Sequence, residues 1–237
     1  MNMIVGKQLK EFYQDVQILM ANKTPKDQAV LTVLKHYIAE SKSIRFEGDG
    51  YSQEWAEEAK LRGLGNYADT PRALDAYSNP TFKNLFIESG ILSEDELHAH
   101  YDVRLEEYAL KIQIESRTLA EMCMNQVLPA AINYQNILIE NVLALKELNL
   151  GENSYEAPLQ IIEEISQHIK TIRDCAYSMK NARENANKLD SKDRAFAYCD
   201  LIVPMMEELR AAADHLEPLV DDEMWPLVKY REMLFIR

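Results

Sequence analysis

Ser93–Asn149 reads SEDELHAHYDVRLEEYALKIQIESRTLAEMCMNQVLPAAINYQNILIENVLALKELN. It opens on Ser93-Glu94-Asp95-Glu96, a hydroxyl N-cap with a carboxylate three residues on. No glycine interrupts it. Apolar residues then recur at steps of three and four: Tyr101, Leu105, Tyr108, Ile112, Leu119, Met122, Val127, Ala130, Tyr134, Ile137, Val142, Leu145 and Leu148. That is the period of a helix turning one face to a partner. At 1.5 Å per residue such a helix would run roughly 85 Å if straight. Pro129 argues against straightness, because it deletes the amide that would bond the carbonyl of Asn125, at a cost of about 3 kcal/mol unless the helix bends. The expected spine is therefore one long bent helix or two stacked ones, and the expected fold is all-α.

The flanks agree with that spine. Before it, Leu9, Phe12, Val16 and Leu19 make a helical stripe that stops at Asn22. Thr24-Pro25-Lys26-Asp27 restarts a helix, with threonine as the expected N-cap and proline at its first position. Val30, Val33, Leu34, Tyr37 and Ile38 give that second helix an apolar face, so residues 1–43 read as a helical hairpin. Residues 44–92 read as a wrapping segment of short helices and turns around Phe46, Trp55 and Tyr77. In it Gly48-Asp49-Gly50 permits positive backbone torsions, and Ser52, Thr70 and Asn79 are the expected caps. After the spine, Asn149-Leu150-Gly151 reads as a glycine-type C-cap. Two further stripes follow, Leu159, Ile162, Ile165, Ile169, Ile172, Ala176 and Met179, then Ala195, Cys199, Ile202, Met206, Leu209, Ala213 and Leu216, with a second bend expected at Pro204. Residues 93–237 thus predict a long antiparallel bundle.

Composition narrows the function classes. The 237 residues carry a formal net charge of −13, so no cationic excess exists to neutralise nucleic-acid phosphates or to hold an anionic membrane surface. No apolar run is long enough to span a bilayer, and Met1–Gly6 soon meets Lys7, Lys10 and Glu11, so a cytoplasmic location is expected. Cys123, Cys175 and Cys199 lack CxxC spacing and read as free thiols within helical stripes.

Candidate chemistry is sparse. Asp95 and His98 stand three apart, as ligands do in di-metal bundles, but a second such motif is absent. The acids at 94–96 already favour the helix dipole. No histidine lies near Cys123 or Cys175 in sequence, and Gly48-Asp49-Gly50 lacks a phosphate-loop lysine. The reading is therefore no catalytic, cofactor-binding or metal-binding residue. The tail is different: from Val220 to Arg237 it is rich in large apolar side chains where termini are normally polar. Trp225, Pro226, Tyr230, Met233 and Phe235 are the candidate interaction residues, docking onto the chain's own bundle, a catalytic domain or a neighbouring subunit.

Arg45-Phe46-Glu47-Gly48-Asp49-Gly50-Tyr51-Ser52-Gln53-Glu54-Trp55 resembles the C-terminal part of type III glutamine synthetases, the large bacterial form. Further stretches carry the same resemblance in order: Glu58–Leu64 with Thr70–Asp75, Gly90–Leu97, Tyr108–Arg117, Pro129–Asn136 with Ile139–Asn141, and Asp221–Leu227 with Tyr230–Phe235. It covers almost the whole chain. The resemblance implies membership of an enzyme that makes glutamine from glutamate and ammonia with ATP and Mg or Mn, and that assembles as a ring-shaped homo-oligomer. It also implies that the catalytic sheet and metal-binding glutamates precede this region, so no catalytic residue transfers to any position here. The expected role is support of folding, assembly or communication, with the catalytic domain and neighbouring subunits as partners. The rival readings are a stand-alone helical scaffold and a module binding a small effector between its helices.

Overall fold

The computed structural model describes residues 2–234, and among them no β-strand occurs. The fold is all-α. By compactness the chain divides into two units, Met1–Tyr101 and Asp102–Arg237.

In the first unit, α1 (Asn2–Ala21) packs on α2 (Lys26–Glu40) through Val16, Ala29 and Val33, with Phe12, Leu19, Met20, Val30 and Tyr37 around them. The Tyr37 hydroxyl donates to Asp15 Oδ2 at 2.9 Å, tying the two helices together. The expected Thr24 cap does not form. The second helix starts after Pro25, at φ −56° and ψ 143°, with no side chain capping it. The connection turns instead on Lys23, at φ 66°, whose N–H and that of Thr24 reach back to the carbonyls of Met20 and Leu19. This closes the first helix in the Schellman manner.

A 3₁₀ turn at Ser41–Ile44 leads into the short helices α3 (Gln53–Leu61), α4 (Thr70–Leu74) and α5 (Pro80–Glu88). Ser52 and Asn79 cap α3 and α5, accepting from the amides of Trp55 and Thr81. Asp69, not Thr70, caps α4, because its carboxylate accepts from Arg72 N while Thr70 is already helical. Phe46 stacks on Trp55 with ring centroids 4.3 Å apart. Arg62 lies over the same indole and donates to the carbonyls of Ser43 and Arg45 at 3.1 and 2.8 Å. Tyr77 belongs to a separate cluster with Phe82 and Tyr101, and Tyr101 donates to Asp75 at 2.8 Å.

The spine begins with α6 (Glu94–Met122). Its capping box forms as the sequence predicts: Ser93 N donates to the Glu96 carboxylate at 2.8 Å and Glu96 N to Ser93 Oγ at 3.3 Å. The boundary between units falls within this helix. A π turn at Cys123–Val127 follows, then α7 (Leu128–Glu147). The second unit is completed by α8 (Glu156–Ala186), α9 (Ser191–Ala197), a second π turn at Tyr198–Ile202 and α10 (Val203–Leu219).

Pairings along these helices set their directions. Gln135 donates to Ile162 O and Ser166 Oγ, and Lys146 lies over the ring of Tyr155, so α7 and α8 run antiparallel. His168 stacks on His215 with centroids 5.1 Å apart, and Cys175 meets Glu208, so α8 and α10 do the same. Ile165, Ile172, Met179, Tyr198, Ile202, Leu209 and Leu216 fill the core between them.

At both prolines where a bend is expected, a π turn precedes the ring. The residue before each proline bonds five residues back, Leu128 N–H to Cys123 O and Val203 N–H to Tyr198 O. Pro129 and Pro204 then fall where the carbonyls four residues back, of Asn125 and Asp200, lie inside the widened turn. The wider turn relieves the ring–carbonyl clash that an interior proline creates in an α-helix. At the end of the spine the left-handed residue is Asn149, at φ 51°, rather than Gly151. Its N–H and that of Leu150 bond Lys146 O and Leu145 O.

Candidate functional site

The tail leaves α10 through an Asp221-centred turn, whose carbonyl accepts from the amides of Met224 and Trp225. Trp225 is 8% exposed and belongs to the same core as Ile172 and Leu209. The Lys229 ammonium approaches its ring at 6.0 Å and donates to Val220 O at 3.3 Å. Trp225 therefore anchors the tail to its own bundle. Pro226 is exposed, and beyond it Val228, Met233 and Leu234 stand in solvent, the last two at the short α11 (Tyr230–Met233) and just after it. Tyr230 contributes its backbone to that helix; Phe235 lies outside the described residues.

The remaining sequence candidates have structural occupations. Glu96 is engaged in the capping box, and His98 packs its ring edge-on against Tyr101. Among the described residues no three His, Cys, Asp or Glu side chains converge as metal ligands. Cys123 and Cys175 are buried, and burial pushes both thiols up to about 11. A thiol held so far from ionisation is a poor nucleophile near neutral pH. Gly48 has no positive φ. A methyl at its position would stand 2.5 Å from the Phe46 ring, so glycine there makes room for the aromatic stack.

Two features escaped the sequence reading. The first is a stripe of large apolar side chains left in solvent on the first two helices. Val5, Leu9 and Tyr13 recur every four residues on α1, and Leu31, Leu34 and Ile38 follow at three and four on α2. Leu9, Leu34 and Ile38 were expected among the buried faces; the mutual core of these helices takes Val16, Ala29 and Val33 instead. Two helices can bury only one stripe each against one another, so the second stripe is left over.

The second is a cleft of about 310 Å³ in the bundle, lined by Glu106, Ala109, Leu110, Gln113, Asn187, Arg194 and Tyr198. Tyr198 is fully buried and donates to Asn187 Oδ1 at 2.9 Å. Burial raises its pKa, opposed by the positive charges of Arg183, Arg194 and Arg117 nearby. Glu106 accepts from Ser191 Oγ at 3.0 Å and faces Arg194 Nη2 at 3.6 Å. Sequence spacing could not have shown this convergence, because Glu106 and Gln113 come from α6 and Arg194 from α9.

With this geometry in place, comparison with known proteins is decisive. Residues 29–146 match the model of the glutamine synthetase C-terminal domain. The whole chain aligns at 42% identity with a glutamine synthetase of Bacteroides fragilis, spanning 33% of that protein. The chain belongs to the glutamine synthetase C-terminal domain family. A type-3 glutamine synthetase of Dictyostelium discoideum aligns over the whole chain at 29% identity, again across 33% of its length. A glutamine synthetase of Butyrivibrio fibrisolvens aligns at 28% identity over 88% of this chain. The chain thus spans about a third of the length of these curated relatives, and corresponds to the C-terminal region of a type III glutamine synthetase. Within this synthetase region three of the family-like stretches fall at joints: the Phe46–Trp55 stack, the Asp69 cap before Thr70–Asp75 and the Ser93 capping box. These positions fix where helices start and how they pack.

Proposed function

We propose that this chain is the non-catalytic, helical C-terminal part of a type III glutamine synthetase, and that it serves folding, assembly or communication by docking on the rest of that enzyme. ATP and a divalent metal are held by that rest, as are the residues that join ammonia to glutamate, and the whole enzyme is a homo-oligomer. The observation that carries this reading is the apolar stripe of Leu9, Tyr13, Leu34 and Ile38, each more than two-fifths exposed. A monomeric soluble surface rarely keeps such a stripe unless a partner covers it. The relatives are about three times as long as this chain, so a partner within the same enzyme is at hand. The exposed Val228 and Met233 of the tail extend the set of candidate contacts.

A split enzyme tests the proposal. The catalytic remainder of the synthetase is expressed separately, and glutamine formation and particle size are measured with and without this chain. The expected result is no glutamine formation by this chain alone, and association with the remainder that restores activity and the full-sized particle. Activity in this chain alone, or a remainder that is fully active and assembled without it, would overturn the proposal.

A further inference from the structure

We infer that one side of the α1–α2 hairpin is the seat of a single amphipathic helix, contributed by the polypeptide that precedes this region in the complete synthetase. This rests on the docking reading above and names the partner of that site. Register and handedness bring the exposed side chains together. Phe12 packs against Tyr37 with ring centroids 5.8 Å apart, and Val16 shares a core with Val33. That antiparallel register sets Tyr13 level with Leu34 and Leu9 level with Ile38. At about 100° per residue, Leu9 and Tyr13 stand about 60° round α1 from its packed face. Leu31, Leu34 and Ile38 stand about 120° round α2 from its own, in the same rotational sense. Antiparallel helices turned in the same sense present those residues on one side of the pair. Asp15, Thr32 and His36 are turned the other way and, with Ile18, line a cavity on the opposite side.

The apolar side is therefore a groove with two rails, Leu9 and Tyr13 on one helix and Leu31, Leu34 and Ile38 on the other, all exposed. Its rungs, Tyr13–Leu34 and Leu9–Ile38, are about 6 Å apart, close to one helical turn. A third helix lays its own ridge of side chains into such a groove and completes a three-helix core. A strand would gain less, because a helical hairpin has no unpaired backbone edge for it to join. The source of that helix follows from what is joined to α1. The chain is the C-terminal region of relatives of which it spans 33%, so the greater part of the polypeptide lies before α1. The residues that match the C-terminal domain model begin at 29, which leaves α1 (Asn2–Ala21) outside it and on the side of what precedes. A segment tied through the backbone to α1 is held near the groove at high effective concentration, an advantage a separate chain lacks.

Photo-cross-linking in the complete synthetase tests the seat. A benzophenone side chain replaces Tyr13, Leu34 or, on the other side of the hairpin, Thr32, one at a time, and adducts are located by mass spectrometry after digestion. All three positions are exposed, so the substituted enzymes should fold, and unchanged particle size and glutamine formation check that they do. Tyr13 and Leu34 are expected to label one segment of the preceding polypeptide, at positions about three, four or seven residues apart. The labelled chain is expected to keep its single-chain mass on a denaturing gel, and Thr32 is expected to leave that segment unlabelled. Labelled residues spaced every second position would mean a strand, and labels on separate segments an irregular surface. A doubled mass would mean a neighbouring subunit. Each of these, equal labelling of the segment from Thr32, or no adduct from Tyr13 and Leu34, overturns the inference. The docking reading itself falls on a different result, a remainder fully assembled and active without this chain.

Discussion

Cys199 differs from its two fellow cysteines in one respect that solution chemistry can read. Cys123 and Cys175 sit in the bundle core with thiols pushed up to about 11 by burial, while Cys199 is only half-buried. At pH 8 a thiol of pKa near 11 is ionised to about one part in a thousand. One thiol, Cys199, should therefore react with a disulfide reagent in the native protein, and all three after denaturation. Rapid native labelling of Cys123 would contradict the packing described. His168 offers a second residue-scale test. Its pKa is lowered by desolvation and by the stacked His215, with Glu164 opposing. The unfolded chain thus binds a proton more readily than the folded one, so its contribution is intact above the ordinary imidazole pKa of about 6.5 and is lost as pH falls toward the lower folded value. Melting temperature should fall between pH 7 and pH 5, and His168→Gln should flatten part of that fall. An identical slope in the variant would remove His168 from the account.

At the scale of elements, the two π turns are the structural answer to Pro129 and Pro204. A π turn carries one residue more than the α-helical path across the same span. Asn125 is an exposed residue within the first such turn. Deleting Asn125 should convert the turn to α-helix while keeping the faces of Met122 and Ala131 aligned, but only if the ring at 129 is also removed. The double change, deletion of Asn125 with Pro129→Ala, should melt within a few degrees of the parent. Deletion with Pro129 retained should lose about 3 kcal/mol, because the ring would again strike a helical carbonyl. Thermal unfolding followed by circular dichroism distinguishes the two. The opposite ranking would mean that the π turn is held by its core side chains, Cys123 and Val127, and not by the proline.

For the whole molecule, the decisive contrast is between stability and association. Leu9→Lys and Leu34→Glu fall on the exposed stripe outside the core of the first two helices. Such substitutions at exposed positions should leave the melting temperature of this chain nearly unchanged, within about 0.5 kcal/mol. If the stripe meets the rest of the synthetase, the same pair should lower association and glutamine formation in the split enzyme at least about ten-fold. Unchanged association would show that the stripe is not the docking face and would return attention to the tail.

Periodicity and punctuation in the sequence were enough for the all-α class, the spine with its Ser93 capping box, the three bundle stripes and the positions where prolines disturb them. Those features depend on residues near one another in the chain, and local chemistry dictates them: a hydroxyl three residues before a carboxylate, a missing amide, an apolar residue every third or fourth position. The family resemblance was legible for the same reason, since its motifs are runs of neighbouring residues, some of them at helix joints. What the tertiary structure decided is which of two apolar stripes a helix buries, and which distant side chains meet. Leu9 and Val16 are equally apolar, yet only Val16 finds Ala29 and Val33. The left-handed turn fell to Asn149 ahead of a nearby glycine, because the register of the preceding helix fixes where the chain must reverse. Glu106, Arg194 and Tyr198 meet at one cleft through the packing of helices far apart in sequence. Burial and electrostatics depend on distance in space, and only the packed bundle sets those distances.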